Sequence, residues 1–145
     1  MAYSDRELLA RLIQCEAGGE GDDGMRAVAS VVMNRVNTLQ GEYGRVGKNL
    51  RSVIFQPGQF TCAMERVGGE INSQNIYNMN PTGIHYSIAD WAIAGGRLNG
   101  LGKALWFFNP YSATCPKNFP SGVGTLAFRL GDHCFYNPTS AYLET

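Results

Sequence analysis

The sequence predicts an α+β fold, a helical part followed by a small antiparallel sheet. Three observations carry it. Up to about residue 98, apolar residues recur at the three- and four-residue spacing of amphipathic helices. Beyond residue 104 the period changes to the alternation of short strands. Helices followed by strands, rather than alternating with them, are the pattern of segregated α+β architecture. The 18 glycines and 11% aromatic residues are more than a plain helical bundle uses, and suggest long loops and a groove lined with rings. At 145 residues the chain reads as one domain, 1–145, long enough to bury a core.

The elements follow in order. Ser4-Asp5-Arg6-Glu7 has the form of a capping box, with Ser4 as N-cap and Glu7 reaching back. Leu8, Leu9, Leu12 and Ile13 then form one apolar stripe, and Gly18-Gly19 stop the helix. Asp22 or Asp23 can cap a second helix through Met25, Val28, Ala29, Val32, Met33 and Val36. Its small residues Ala27, Ala29 and Ser30 allow close packing on the first. Residues 37–48 read as a loop and 50–55 as a short segment broken by Pro57-Gly58. Residues 67–83, rich in Gly, Asn, Ser and Gln, read as a connection long enough to suggest binding. A third helix is expected over 84–98, with Ile84, Ile88, Trp91, Ala92 and Leu98 on one side. Short strands are expected at 104–108, 125–130 and 133–136.

Composition excludes several classes of function. The formal net charge is zero with 17% charged residues, so the basic footprint of a nucleic-acid binder is absent. No apolar run reaches membrane-spanning length, and the chain opens on a capped amphipathic helix, so neither membrane insertion nor a signal peptide is expected. Cys15, Cys62, Cys115 and Cys134 form no CxxC pair, and His85 and His133 are the only histidines, so no metal site is expected. The Gly21-Asp22-Asp23-Gly24 stretch lacks the spacing of a calcium loop. The cysteines read as reduced, buried thiols, with a Cys115–Cys134 disulfide across the C-terminal strands as the alternative.

Glu16 is the residue out of place. It is the next member of the first helix's apolar stripe and lies in the last turn. Apolar surroundings disfavour an ionised carboxylate, and the negative end of the helix dipole acts in the same direction. Both raise its pKa, and a carboxyl kept protonated near neutrality is what a general acid must be. The competing reading is a structural carboxylate paired with Arg11, Arg26 or Arg35.

Four blocks in order then resemble one family. Glu16-Ala17-Gly18-Gly19-Glu20-Gly21 precedes a helix ending Val32-Met33-Asn34-Arg35-Val36. Ile54-Phe55-Gln56-Pro57-Gly58-Gln59-Phe60, Leu105-Trp106-Phe107-Phe108-Asn109-Pro110 and Gly131-Asp132-His133-Cys134-Phe135-Tyr136 follow. Together they resemble the SleB/CwlJ cell wall hydrolases, the spore cortex-lytic enzymes. The Cys115-Pro116 and His133-Cys134 blocks are more similar to the CwlJ branch.

The resemblance implies a lysozyme- or lytic-transglycosylase-like fold. It implies cleavage of the bond between N-acetylmuramic acid and N-acetylglucosamine in cortex containing muramic-δ-lactam, with Glu16 as the acid. It also implies a place at the spore coat/cortex boundary or in the cell wall, a coat protein partner and a calcium-linked trigger. No residue pattern independently supports the coat location or the calcium-linked trigger, and no cofactor is expected from the residues. An ordinary glycosidase needs two carboxyl groups, and only Glu20 lies near Glu16 in sequence. A lytic transglycosylase needs one, because the sugar's own N-acetyl or 6-hydroxyl group attacks.

A saccharide cleft wants ring faces and polar partners. Phe60, Trp106, Phe108 and Tyr136 are the candidate platforms, and Glu20, Gln56, Gln59, Asn109 and His133 the candidate polar partners. Alternation puts Trp106 and Phe108 on one strand face and Phe107 on the other, so at least one face is packing. Two other readings are weighed against this one. A cysteine peptidase or amidase would use Cys15 and His133, but Cys15 sits near a helix C-terminus, where the dipole disfavours thiolate. A catalytically silent cortex- or coat-binding module would keep Glu16 for structure.

Overall fold

Ser4 Oγ accepts a 3.1 Å hydrogen bond from the Glu7 N–H and starts the first helix, α1 (Asp5–Ala17), in a computed structural model that describes residues 2–145. Glu7 does not reach back to the cap; its carboxylate takes Arg11 Nε at 2.8 Å, because an i,i+4 partner is within reach on the same face. Leu8, Leu9, Leu12 and Ile13 are fully buried. The second helix, α2 (Gly21–Asn37), begins at Gly21 with φ 79°, and Glu20 precedes it without a side-chain cap bond. Asp22 and Asp23 are therefore first-turn residues rather than caps, and Asp22 pairs with Arg26 at 2.5 Å. There they still complement the helix dipole.

The 37–48 loop contains a short helix, α3 (Gly41–Val46), and α4 (Leu50–Ile54) follows under an Asn49 cap. α3 has six residues, two of them glycine, and buries only Gly41 and Tyr43, so it shows no apolar period in the sequence. Residues 67–83 are also more ordered than a binding loop. The span takes in a two-stranded hairpin that starts one residue earlier, β1 (Arg66–Val67) and β2 (Glu70–Ile71), and a 3-10 turn at Ile76–Asn78.

The polar residues of this segment are spent on backbone. Asn72 Nδ2 donates to the Thr61 and Met64 carbonyls at 2.8 and 2.9 Å, and Asn75 caps the 3-10 turn. Arg11 reaches across to the Ile76 and Met79 carbonyls at 2.9 and 2.7 Å. Buried backbone groups must be paired, and here amides and a guanidinium do it.

The third long helix, α5 (Gly83–Ile93), stops earlier than the apolar pattern suggests. Gly95 adopts φ 108°, and the Gly96 N–H turns back to the Trp91 carbonyl at 2.8 Å. A Cβ at Gly96 would lie 2.3 Å from the Trp91 ring. Helices α1, α2 and α5 pack on one another and enclose the largest apolar cluster, which also takes in Val53, Ile54, Phe60 and Cys62.

Strands β3 (Trp106–Phe108), β4 (Gly124–Leu130) and β5 (His133–Pro138) form an antiparallel sheet in the order β3-β5-β4, followed by α6 (Ser140–Leu143). The register pairs Trp106 with Tyr136, Phe107 with Phe135 and Phe108 with Cys134. One face carries Trp106, Cys134 and Tyr136 onto Tyr43, Leu105 and Tyr142. On the other, Phe135 and Phe107 meet Ala27 and Val31 of α2.

All four cysteines are bonded. Cys15 pairs with Cys62 across a sequence separation of 47, and Cys115 with Cys134 across 19. The reduced-thiol expectation is corrected, and with it the Cys15 nucleophile, whose sulfur is occupied. The fold brings the Cα atoms to 6.1 and 5.9 Å, a proximity that sequence spacing does not reveal.

Candidate active site

Glu16 is one residue from the C-terminal end of α1, and its neighbour Cys15 is tied to the 3-10 turn Thr61–Ala63. That tether brings the Cys62 backbone N–H to the Glu16 carboxyl. Burial pushes the Glu16 pKa up to about 7, the Cys62 N–H and the Arg35 charge pull it down, and the Glu20 carboxylate adds to the rise. Burial therefore outweighs two groups that favour the ionised form. A carboxyl half protonated near neutrality can give a proton and take one back.

Arg35 comes from α2 and is only 3% exposed. Its Nε donates to the Leu105 carbonyl at 2.7 Å, and its guanidinium lies over the Tyr43 and Phe60 rings at 4.7 and 4.8 Å. Gln59 Oε1 accepts from Tyr43 Oη at 2.7 Å and from Arg35 Nη1 at 3.4 Å. Arg35 is held by backbone and ring faces, so its charge is fixed beside Glu16 without a direct pair to it.

Arg35, Tyr43 and Gln59 also line a cleft of about 250 Å³, together with Glu42, Gly58, Trp106, Phe107, Phe119 and Pro120; Glu16, Glu20 and His133 are not in its lining. Gln56 stands at its edge, with Nε2 3.5 Å from Glu42 Oε2 and a buried Oε1 that has no partner. An orphaned acceptor beside a carboxylate suits a ligand that brings hydroxyl or amide donors. Glu20 and His133, from opposite ends of the chain, meet at 2.5 Å between Oε2 and Nδ1. Phe107 lies edge-on to His133 with ring centroids 5.3 Å apart.

The ring platforms expected from sequence are mostly interior. Phe60 and Trp106 are 3% and 4% exposed, and Tyr136 is fully buried with its hydroxyl donating to the Pro116 carbonyl at 2.8 Å. Trp106 packs edge-on against Tyr142, so the face it shares with Phe108 is the packing face. Phe108 is half-buried against Phe119. Asn109 folds onto its own turn, its Oδ1 accepting from the Tyr111 N–H at 2.7 Å. Phe107, assigned by alternation to the other face, is half-buried and lines the cleft, as does half-buried Phe119, with the interior rings Tyr43 and Trp106 behind them. Arg35, Glu42, Tyr43 and Phe107 are thus missing from the sequence-derived set. Strand alternation held a signal for Phe107, and Arg35 stood in a family block and among the possible charge partners of Glu16; Glu42 and Tyr43 had none.

Among the described residues, no three of His, Cys, Asp or Glu gather as a metal cluster.

The helix stop expected at Gly18-Gly19 is observed, with Gly18 as the C-cap of α1. Gly18 is right-handed, with φ −58°, and the positive φ of this turn falls at Gly21. A Cβ at Gly19 would meet nothing within 4 Å. Gly19→Ala should therefore change stability by less than about 1 kcal/mol. Gly21→Ala should cost roughly 1–2 kcal/mol, because it forces a side chain into left-handed backbone. Denaturant midpoints of the two variants check this; a larger loss at Gly19 would show that the turn is constrained by something else.

The family model described as Cell Wall Hydrolase matches residues 19–136. The cell wall hydrolase CwlJ of Halalkalibacterium halodurans is 31% identical over 137 residues, covering 94% of this chain and 87% of that one. A spore cortex-lytic enzyme of Bacillus subtilis is 34% identical over 113 residues, 78% of this chain but 32% of that longer protein. Among solved structures, the catalytic domain of the Bacillus cereus SleB protein superposes with a TM-score of 0.65 at 28% identity, covering 94% and 93% of the two chains. The catalytic domain of a germination-specific lytic transglycosylase, SleB from Bacillus anthracis, gives 0.62 at 28% identity, covering 94% and 98%. The α+β class expected from the sequence is the class of this fold.

Proposed function

The chain belongs to the cell wall hydrolase family, and from that premise we propose that it cuts peptidoglycan glycan strands as a lytic transglycosylase. Residues 1–145 are read as one catalytic domain acting on the bond between N-acetylmuramic acid and N-acetylglucosamine. The proposed substrate is spore cortex containing muramic-δ-lactam, degraded during germination at the coat/cortex boundary or in the cell wall. Two relatives support this, one a spore cortex-lytic enzyme and the other a germination-specific lytic transglycosylase. A coat protein partner rests on the family resemblance alone.

The observation that carries the chemistry is the Glu16 carboxyl, raised to about 7 chiefly by burial and set beside a fixed arginine. In the proposed reaction it protonates the bridging oxygen as the C1–O bond breaks. The sugar's N-acetyl oxygen or 6-hydroxyl attacks C1 in place of water. The Glu16 carboxylate then takes the hydroxyl proton as the 1,6-anhydro ring closes, which restores the acid. Gln56, Gln59 and Glu42 supply polar contacts for the strand, and Phe107 a partly exposed ring.

Mass spectrometry of digested cortex tests the product. Fragments should end in 1,6-anhydromuramic acid, one water lighter than hydrolytic ends. Digests containing reducing muramic ends alone would make the chain a true hydrolase and overturn the one-acid route.

A further inference from the structure

Glu20 is held more firmly than a turn residue needs to be. Its Oε2 lies 2.5 Å from His133 Nδ1, and the two side chains are only 21% and 15% exposed. Two glycines leave room for it. A Cβ at Gly24 would come within 2.7 Å of Glu20 Cβ, and a Cβ at Gly131 would lie 3.5 Å from Glu20 Oε1. Phe107, one of the rings that line the cleft, backs His133 edge-on. Oε2 is buried against the His133 ring, which is its one close polar contact, and it makes no hydrogen bond among the described residues.

The charge of Glu20 is felt at Glu16, whose other charged neighbour is Arg35 and whose hydrogen-bond donor is the Cys62 N–H. When Glu16 gives up its proton, the leaving oxygen is neutral and positive charge grows at the anomeric carbon. A fixed carboxylate in a site sheltered from water stabilises such charge more than a solvated one can. Resting on the glycan-cleaving reading above, we propose that Glu20 is a second catalytic carboxylate, which stabilises the developing positive charge on the sugar, and that His133 is the positioning residue that aims it. Glu20 neither gains nor loses a proton in this step; the C1–O electrons stay with the oxygen that Glu16 protonates.

A purely structural Glu20–His133 pair would only brace the α1–α2 turn against the β4–β5 hairpin. Kinetics on purified cortex fragments separate the two roles. Glu20→Gln should lower kcat by about 10- to 100-fold, with KM changed less than about threefold, since the contact matters only in the transition state. His133→Phe should give a similar drop. His133→Asn should recover most of the rate, because its amide N–H can take the place of Nδ1. The Glu20→Gln/His133→Phe pair should lose no more than Glu20→Gln alone. Titration of the Glu16 carboxyl by NMR provides a readout independent of turnover, and its midpoint should fall in Glu20→Gln.

Wild-type kcat in a folded Glu20→Gln, or an unmoved Glu16 titration, overturns the proposal. So does equal loss in His133→Asn and His133→Phe, or loss of melting temperature without loss of turnover per folded molecule. Failure of the glycan-cleaving reading itself would appear elsewhere, as a fully active Glu16→Gln with the Glu20–His133 pair intact.

Discussion

Glu16→Gln is expected to fold as the parent chain does and to lose at least ~100-fold in turnover, the usual worth of a general acid. The substitution preserves side-chain shape and keeps one oxygen to accept from the Cys62 N–H, yet leaves nothing to donate a transferable proton. Stability should move in the opposite direction. The Glu16 carboxyl titrates at about 7 when folded against 4.5 in the reference state, so the folded chain binds this proton more tightly. Its contribution is fully present below about pH 4.5 and is lost as pH rises through about 7, a change on the order of 3 kcal/mol. Glu16→Gln removes that dependence and should be the more stable protein at pH 8. The rate of the parent chain at low substrate should fall as pH rises through about 7, where the acid form is lost. Unfolding curves and initial rates across pH 5–9 check both signs together. A folded, fully active Glu16→Gln would sink the assignment.

Much of the frame behind Glu16 was legible because it is local. The Ser4 cap and the Leu8, Leu9, Leu12, Ile13 stripe are set by neighbours within four residues, and so was the placement of Glu16 on that stripe. Strand alternation separated Trp106 and Phe108 from Phe107, but it could not say which face would meet other elements. Tyr43 and Tyr142 settle that from one side, and α2 from the other. Neither tyrosine lies in a segment with an apolar period. The amides of residues 67–83 look like a binding surface in one dimension because their carbonyl partners, at Thr61 and Met64, are supplied by the fold. The Glu20–His133 contact was invisible for the same reason, although each residue had been singled out alone. Chemistry was legible where a residue contradicts its own element. It was lost where the partner comes from elsewhere in the chain.

The Cys15–Cys62 bond is such a partnership, and its loss should be the most damaging change to stability. It closes a loop of 47 residues, for which chain entropy alone gives about 4 kcal/mol, against about 3 for the 19 residues between Cys115 and Cys134. Both double Cys→Ala variants should therefore unfold at lower denaturant, the Cys15/Cys62 pair more so. Activity separates them further. Cys15 precedes Glu16, and the Cys62 N–H is the group that offsets burial of the Glu16 carboxyl. Without the tether the turn Thr61–Ala63 is free to leave α1, which would carry away that N–H and admit water to the Glu16 carboxyl, removing both the donor that orients it and the burial that keeps it protonated. An acid that is neither oriented nor protonated near neutrality donates poorly. The Cys115–Cys134 pair lies in the apolar cluster on the Trp106 face of the sheet and makes no contact that sets the Glu16 proton, so its removal should lower stability with a smaller loss of rate than removal of Cys15–Cys62. Turnover per folded molecule, measured in both variants below their unfolding transitions, decides the matter. Equal rates in the two would mean that Glu16 is held by α1 alone and that the disulfide contributes only to stability.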